Sequence, residues 1–347
     1  MIGNLKRNLL IIAMVLGLIS GLEGLQLKYV GDIEFADELF ISKVVATDDG
    51  IFVKAVGDWP IVQCDWDGKI MRKFGRIGEG PGEFQFLSDF SVGDDGVVGV
   101  GDRKLCKYEL SGALDQERKS KLRIYKVIAA QDNTLYLAWK KIIDPKKKLA
   151  QNFYHLLDSQ NRLLLEIPDE SRQPAFMPAR GQVTWFPWFP SPFFNRPVIV
   201  PGLNGDAAVF MTRERSFRLI KKDGTVKTLT IDAPLKVPPI TTQDKENFFE
   251  CIQPKPVEKT KQSVDFPETM ELFLGVIRWG DGWALLHQDS LTILSYDGKF
   301  RERIQLPRQF AANETWQKVR LENYLSRHQN KLYVINNNES ISVFQLE

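Results

Sequence analysis

Two interleaved series of turns constrain this chain more tightly than any other feature of its 347 residues. The first series is Gly50, Gly96, Asn133, Gly205, Gly282 and Asn330, each followed by a short apolar run such as IFVKAV, VVGVG, TLYLAW or WALLH. The second closes an alternating apolar stretch on a polar-Gly or polar-Asn turn at Gly68, Gly112, Asn161, Gly224 and Gly298. Alternation bounded by such turns is the pattern of antiparallel hairpins. Successive members of the two series stand 18, 16, 28, 19 and 16 residues apart, and the outlier contains the polar DPKKK insertion at Asp144 to Lys148. A sixth unit opens at Asn330 and runs through ISVFQLE to Glu347, one strand short. At the other end, LKYVGDIEF (Leu27 to Phe35) is a strand-like segment with no partner of its own.

Six four-stranded antiparallel units, the last completed by the N-terminal strand, predict an all-β, six-bladed β-propeller. A lone blade exposes two apolar faces, whereas a ring buries them between neighbours. An open all-β stack or a pair of β-sandwiches is the competing arrangement.

Composition agrees with a packed domain. The chain is 43% hydrophobic and 26% charged, which excludes wholesale disorder. Its net charge of +2, from 46 basic and 44 acidic side chains, lacks the basic excess of a nucleic-acid binder. Lys6 and Arg7 precede an uncharged apolar run from Leu9 to Ile19, the layout of a secretory signal peptide. As a helix that run covers about 16 Å, short of the roughly 30 Å hydrocarbon core. Residues 1–24 are therefore read as a signal peptide, or a signal anchor if uncleaved, and 25–347 as a single exported domain, periplasmic or extracellular. Its only expected membrane contact is through that segment, and a monomer is expected. With three cysteines, Cys64, Cys106 and Cys251, at least one thiol stays free, and a Cys64–Cys106 bridge is not expected because the two fall at different heights on neighbouring strands.

The stretch FGRIGEGPGEFQFLSDFSVGDDG, from Phe74 to Gly96, followed by VVGVGDRKLCKYEL, resembles an NHL repeat. The positions that carry the likeness are Phe74, Gly75, Gly78, Gly80, Pro81, Gly82, Phe84, Gly96, Asp102, Leu105 and Tyr108. Leu87 and Ser88 stand where that repeat usually opens its inner strand with proline, and the other five units keep only the strand and turn skeleton. The whole chain is similar to divergent NHL-like six-bladed propellers exported by bacteria, most without an assigned activity. That resemblance implies a fold far more than a function.

In a propeller, the blade-to-blade connections and the second-to-third-strand loops share one face, and that face usually binds. Six to eight residues beyond each first-series turn lie Gly57 and Asp58, Asp102 and Arg103, Lys140 and Lys141, Thr212 and Arg213, Gln288 and Asp289, and Asn336 and Asn337. Trp59, Arg215 and His287 stand beside them. Two long connections, about 168–196 and 234–272, interrupt the pattern. The first carries TWFPWFPSPFF, in which Trp185 and Trp188 sit among prolines that stiffen the backbone and present large apolar area. The second opens on a Thr241/Asp244 cap that predicts a short helix over TQDKENFFECI. The expected ligand-binding set on this face is Trp59, Asp102, Arg103, Lys140, Trp185, Trp188, Arg213, Arg215, His287 and Asp289.

No catalytic constellation is assigned. No Gly-x-Ser-x-Gly elbow occurs, and the register separates His155, His287 and His328 in different parts of the fold. GRIGEGPGEF lacks a following helix and a Gly-Lys-Ser/Thr, so it reads as a blade-to-blade turn, not a phosphate cradle. No cofactor or metal ligand is assigned, although an all-oxygen calcium site from Asp58, Asp89, Asp102 and Asp289 stays open. Lys43, Asp89, Lys126 and Asn323, each seven residues before a first-series turn, are expected as an ion-pair lining of the channel mouth. Two functions follow. One is an exported, non-catalytic scaffold that recognises a protein partner or a glycan. The other is a channel-centred hydrolase or lyase, lactonase-like, acting on a small carbohydrate-derived substrate with a divalent cation.

Overall fold

In the computed structural model the described residues are 26–35, 39–101, 103–128, 135–144, 149–168, 174–176, 183–185, 195–221, 223–250, 266–287, 289–306, 325–336 and 339–347. They form six four-stranded antiparallel sheets arranged as the blades of a β-propeller. Blade one comprises Phe40–Thr47, Gly50–Val56, Ile61–Cys64 and Ile70–Phe74, and blade two Leu87–Gly93, Gly96–Gly101, Lys104–Tyr108 and Leu114–Lys119. Blade three is Arg123–Ile128, Leu135–Asp144, Leu149–Leu157 and Leu163–Pro168, and blade four Pro197–Pro201, Ala207–Met211, Ser216–Ile220 and Val226–Thr230. Blade five is Gly275–Trp279, Gly282–Leu286, Ser290–Ser295 and Phe300–Gln305. Blade six takes Leu325–His328, Lys331–Asn336 and Ser340–Leu346 from the end of the chain and borrows Leu27–Glu34 from its start as the outer strand. That shared sheet pairs Leu27 with Leu346 and Glu34 with Ser340.

The innermost strands contact one another in a closed cycle through all six blades. Six buried apolar clusters lie between them, one at each blade-to-blade seam. Strand alternation explains how. In the second strand of blade four, Ala207, Val209 and Met211 pack toward blade three, while Ala208 and Phe210 pack toward blade five. Trp283 and Leu285 likewise face blade four, and Ala284 and Leu286 face blade six. With both faces covered, such strands read as unbroken apolar runs (AAVFM, GWALL) instead of an apolar/polar alternation.

The turn glycines have a packing reason too. At Gly96, φ is +146° and a Cβ would stand 2.1 Å from the Tyr108 carbonyl oxygen, so the turn abuts the end of the third strand. Gly68, at φ +84°, lies against the Glu34 carbonyl of the preceding blade, where a Cβ would come within 2.3 Å. At Gly50, Gly96 and Gly282 the first turn series thus closes a blade upon itself, and at Gly68 the second fits one blade to the next.

The Gly-rich connection between blades one and two is a latch. Phe74, Phe84 and Tyr108 are buried in one seam. The Tyr108 hydroxyl donates to the Gly82 carbonyl, and the Gly82 amide donates to Glu117 Oε2 at 2.8 Å. Gly80 N–H donates to Glu83 Oε2 at 2.9 Å. Burial pushes the Glu117 carboxyl up, but the Gly82 amide and the Lys104 ammonium outweigh it and hold the group below its usual range.

Cys64 and Cys106 are buried, and Cys251 lies outside the described residues. The helix spans Thr242–Glu250, with Thr241 and Asp244 capping each other reciprocally at 2.6–3.2 Å. Among the described residues no helix is long and apolar enough to cross a membrane.

Ring closure makes Ile33, buried in the seam between blades six and one, a test of the whole assembly. Ile33→Ala is expected to cost about 2–4 kcal/mol in chemical denaturation. Deletion of residues 26–34 is expected to abolish the single cooperative transition, and an unchanged transition in the deletion would contradict closure through the N-terminal strand.

Candidate functional site

Each innermost strand ends its sheet with an open backbone edge, and in blades one, two and three side chains from neighbouring blades bond to that edge. Lys43 Nζ donates to Asp89 Oδ1 at 2.7 Å and to the Phe90 carbonyl at 2.5 Å. Asp89 Oδ2 in turn accepts the Val127 amide at 3.1 Å, so one ion pair joins blades one, two and three. Across the closing seam, the Ala46 amide donates to Ser326 Oγ at 2.9 Å. Lys43 and Asp89 thus form the expected ion-pair lining, while Lys126 is half-buried and Asn323 falls outside the described residues. Among the described residues no three His, Cys, Asp or Glu side chains are grouped to hold a metal ion. Asp58, Asp89 and Asp289 are not grouped together, and Asp89 is engaged by Lys43 and Val127. Asp102 lies outside the described residues.

The polar rim on blades four and five turns inward to fasten loops. Arg213 donates to the Thr269 carbonyl at 2.7 Å and to Thr269 Oγ1 at 3.1 Å. Arg215 donates to the carbonyls of Ala233 and Leu235 at 3.2 and 2.8 Å. Both arginines thereby pin the long connection between blades four and five. Beneath them, buried Arg196 lies 3.5 Å from Glu271, whose Oε1 accepts the Thr212 hydroxyl at 2.7 Å.

His287 stands within hydrogen-bond distance of Thr292 Oγ1 at 2.8 Å, and its peptide N–H donates to the Ser290 carbonyl at 2.8 Å. Burial, with the nearby Arg303 guanidinium, pushes its imidazole down to about 4. Asp289 accepts the Ser290 hydroxyl at 2.8 Å, which lowers its carboxyl, and its carbonyl accepts Gln305 and Leu306. His155 and His328 lie elsewhere, the first against Glu166 at 2.9 Å in blade three and the second in the innermost strand of blade six.

Lys140 departs from its expected position in a loop. It lies within Leu135–Asp144 and pairs with Phe153, because this hairpin runs on for ten- and nine-residue strands before turning. The KKII/LAQN stretch pairs as a ladder, so the insertion lengthens the strands as well as the loop. Trp185 ends a short strand, Val183–Trp185, that pairs with Pro174–Phe176. Trp188 lies outside the described residues. Arg103, exposed at φ +64°, accepts the Ser120 amide on its carbonyl at 2.6 Å.

Trp59 has company that the sequence did not single out. It is 38% exposed, and on the same face of blades one and two Val56 is 67%, Phe86 55%, Phe40 50% and Ile77 45% exposed. Val56 and Phe40 are cross-strand partners. Ile77 is tied to the residue before Trp59 by its amide, which donates to the Asp58 carbonyl at 2.9 Å. Lys54 donates to the Ser88 carbonyl at 3.0 Å with its ammonium 5.4 Å from the Phe86 ring centre. Five large side chains left open to this extent present on the order of 500 Å² of apolar surface, toward the upper end for a monomer. A local signal existed: in GIFVKAV the polar Lys54 marks where cover on the Phe52 face runs out, and Val56 two residues on lies beyond it.

Residues 36–178 match the profile of a family described as a 6-bladed beta-propeller (DUF5128). No curated protein matches the chain. A Bacteroides fragilis protein described as exported is similar in structure, with a TM-score of 0.52 at 10% identity over 93% of this chain and 94% of that one. A duf4221-family protein of Bacteroides vulgatus gives 0.49 at 8% identity over 93% and 98% of the two chains. Virginiamycin B lyase of Staphylococcus aureus gives 0.45 at 8% identity over 93% and 100%. Likeness at such identities shows the fold alone.

Two outcomes check this geometry. Lys43→Met leaves the Asp89 carboxylate buried without its cation and is expected to cost about 3–5 kcal/mol, much of it recovered in Lys43→Met/Asp89→Leu. His287 is held neutral, so the unfolded chain binds more protons between about pH 6.5 and pH 4. The stability it contributes is complete above pH 6.5 and is lost as acid takes the pH toward 4, by up to about 3 kcal/mol. Denaturation across that range should show a shallower acid decline for His287→Gln.

Proposed function

We propose that this chain is an exported, non-catalytic binding scaffold that holds a protein partner on the loop face of blades one and two. The carrying observation is the exposed patch of Phe40, Val56, Trp59, Ile77 and Phe86. The aliphatic members favour a protein over a glycan, because a sugar needs hydrogen-bonding side chains beside the ring it stacks on. Phe40, Val56, Ile77 and Phe86 offer none. Trp59 would serve as the rigid anchor, with the flanking side chains excluding water around it.

Export is read from the apolar leader pattern of residues 1–24. The peptide groups of Gln26 and Glu347 bond reciprocally at 3.1 and 3.0 Å, at the end of the third strand of blade six that lies away from the loop face. The described chain thus begins on the face opposite the patch.

A photo-crosslinking residue at Ile77, compared with one at Asp67 on a turn of the opposite face, tests this reading in the native host. A discrete protein adduct from position 77 only, reduced about tenfold by Val56→Glu or Phe86→Glu, is the expected result. No adduct, or the same adduct from both positions, would overturn it. Retention on immobilised glycans that is sensitive to Trp59→Ala but indifferent to Val56→Glu would assign a sugar ligand instead.

A further inference from the structure

A register shared by the first four blades singles out one cation on the innermost strands. Lys43, Asp89, Lys126 and Val198 each stand seven residues before a turn of the first series. Cross-strand pairing gives the same match. Their partners on the second strands are Lys54, Val100, Leu137 and Phe210, which pair in turn with Ile61, Leu105, Leu156 and Phe217 on the third. In blades one, two and three the residue directly follows a break in the ladder, at Ile41/Lys43, Leu87/Asp89 and Ile124/Lys126, a device that re-aims a side chain.

In the first two blades the side chain at this position reaches the blade ahead. Lys43 Nζ donates to Asp89 Oδ1 and to the Phe90 carbonyl of blade two, and Asp89 Oδ2 accepts the Val127 amide of blade three. The Asp89 carboxylate is thus held between an ammonium from the blade behind and a peptide N–H from the blade ahead. Lys126 repeats the ammonium on blade three, but the counterpart of Asp89 on blade four is Val198, an apolar residue of the seam with blade five. The next counterpart, Gly275, has no side chain. Arg196, two residues before Val198, is engaged by Glu271 and by the Leu274 carbonyl, and so brings no free negative charge. Among the described residues Lys126 makes no hydrogen bond or ion pair, and it is half-buried.

We propose that Lys126 anchors a small-molecule site on the inner rim of the ring, which takes the carboxylate of an organic acid into the place against Lys126 that Asp89 fills against Lys43. One carboxylate oxygen accepts from the Lys126 ammonium. The other turns toward the inner edge of blade five at Val276, which lies in the seam with the preceding blade as Val127 does. One ammonium beside one peptide N–H suits a singly charged, planar carboxylate better than a phosphate dianion, whose second charge would stay uncompensated. Val198 and Gly275 bring no competing polar side chain. The site is separate from the patch around Trp59, so either reading can fail without the other.

Acetate is the simplest probe. Sodium acetate, referred to sodium chloride at equal ionic strength, is expected to shift the Lys126 side-chain resonance of isotope-labelled protein along one saturable curve. Because the folded state binds, acetate should also raise stability in chemical denaturation above that in chloride. Lys126→Met keeps the aliphatic stem and removes the charge, and is expected to weaken acetate binding by about tenfold. A response without saturation, one equal to that in chloride, or binding of full strength in Lys126→Met would overturn the proposal. Tighter binding of inorganic phosphate at the same resonance would overturn the assignment to carboxylates. Should Lys126→Met fail to fold, the wild-type titration decides, with the resonance assigned through its bonds to the backbone.

Discussion

Every blade of this propeller is apolar on both faces, and that single condition governs the rest. A sheet buried on one side can end at solvent, but Ala207 to Met211 or Gly282 to Leu286, buried throughout, need a neighbour on each side. Stacking alone would leave two outer faces bare. A closed ring leaves none, and closure requires the seam between blades six and one. That seam exists because Leu27–Glu34 pairs with Ser340–Leu346. Ile33 and Ile41, close together in sequence, meet Ile335 and Ile341 there, so the join ties contacts that span nearly the whole chain.

Polar groups follow from the same architecture. The channel-facing edges of the innermost strands cannot pair with another strand, and unmet backbone groups there would be costly. Lys43, Asp89 and Ser326 answer this from adjacent blades. That ion pair near the axis consequently serves the backbone. Arg213 and Arg215 play the corresponding part on the loop face of blades four and five, where the long connection brings carbonyls that need donors.

Against that background of engaged polar side chains, the patch around Trp59 stands apart because its members contribute so little to any seam. Phe84 and Phe86 show the contrast within one connection: Phe84 is buried in the seam between blades one and two, while Phe86 lies open under the Lys54 ammonium. The proposed partner-binding role rests on this exposed surface.

Blade number, strand order, the borrowed N-terminal strand and the capped helix were all legible from the chain alone, because each rests on chemistry completed within a few residues or on a simple repeat. A turn such as that at Gly96 excludes a side chain whatever surrounds it, and the Thr241/Asp244 cap closes within one helical turn. The site was legible only in part. Trp59 could be placed on the loop face by counting, but whether Val56, Ile77 and Phe86 were covered depended on which distant strand lay across them. In the same way, nothing near Arg213 in sequence reveals that its partner is Thr269. Local turn geometry belongs to the sequence by itself, whereas exposure and salt-bridge partnership are decided by residues that meet only once the ring has closed.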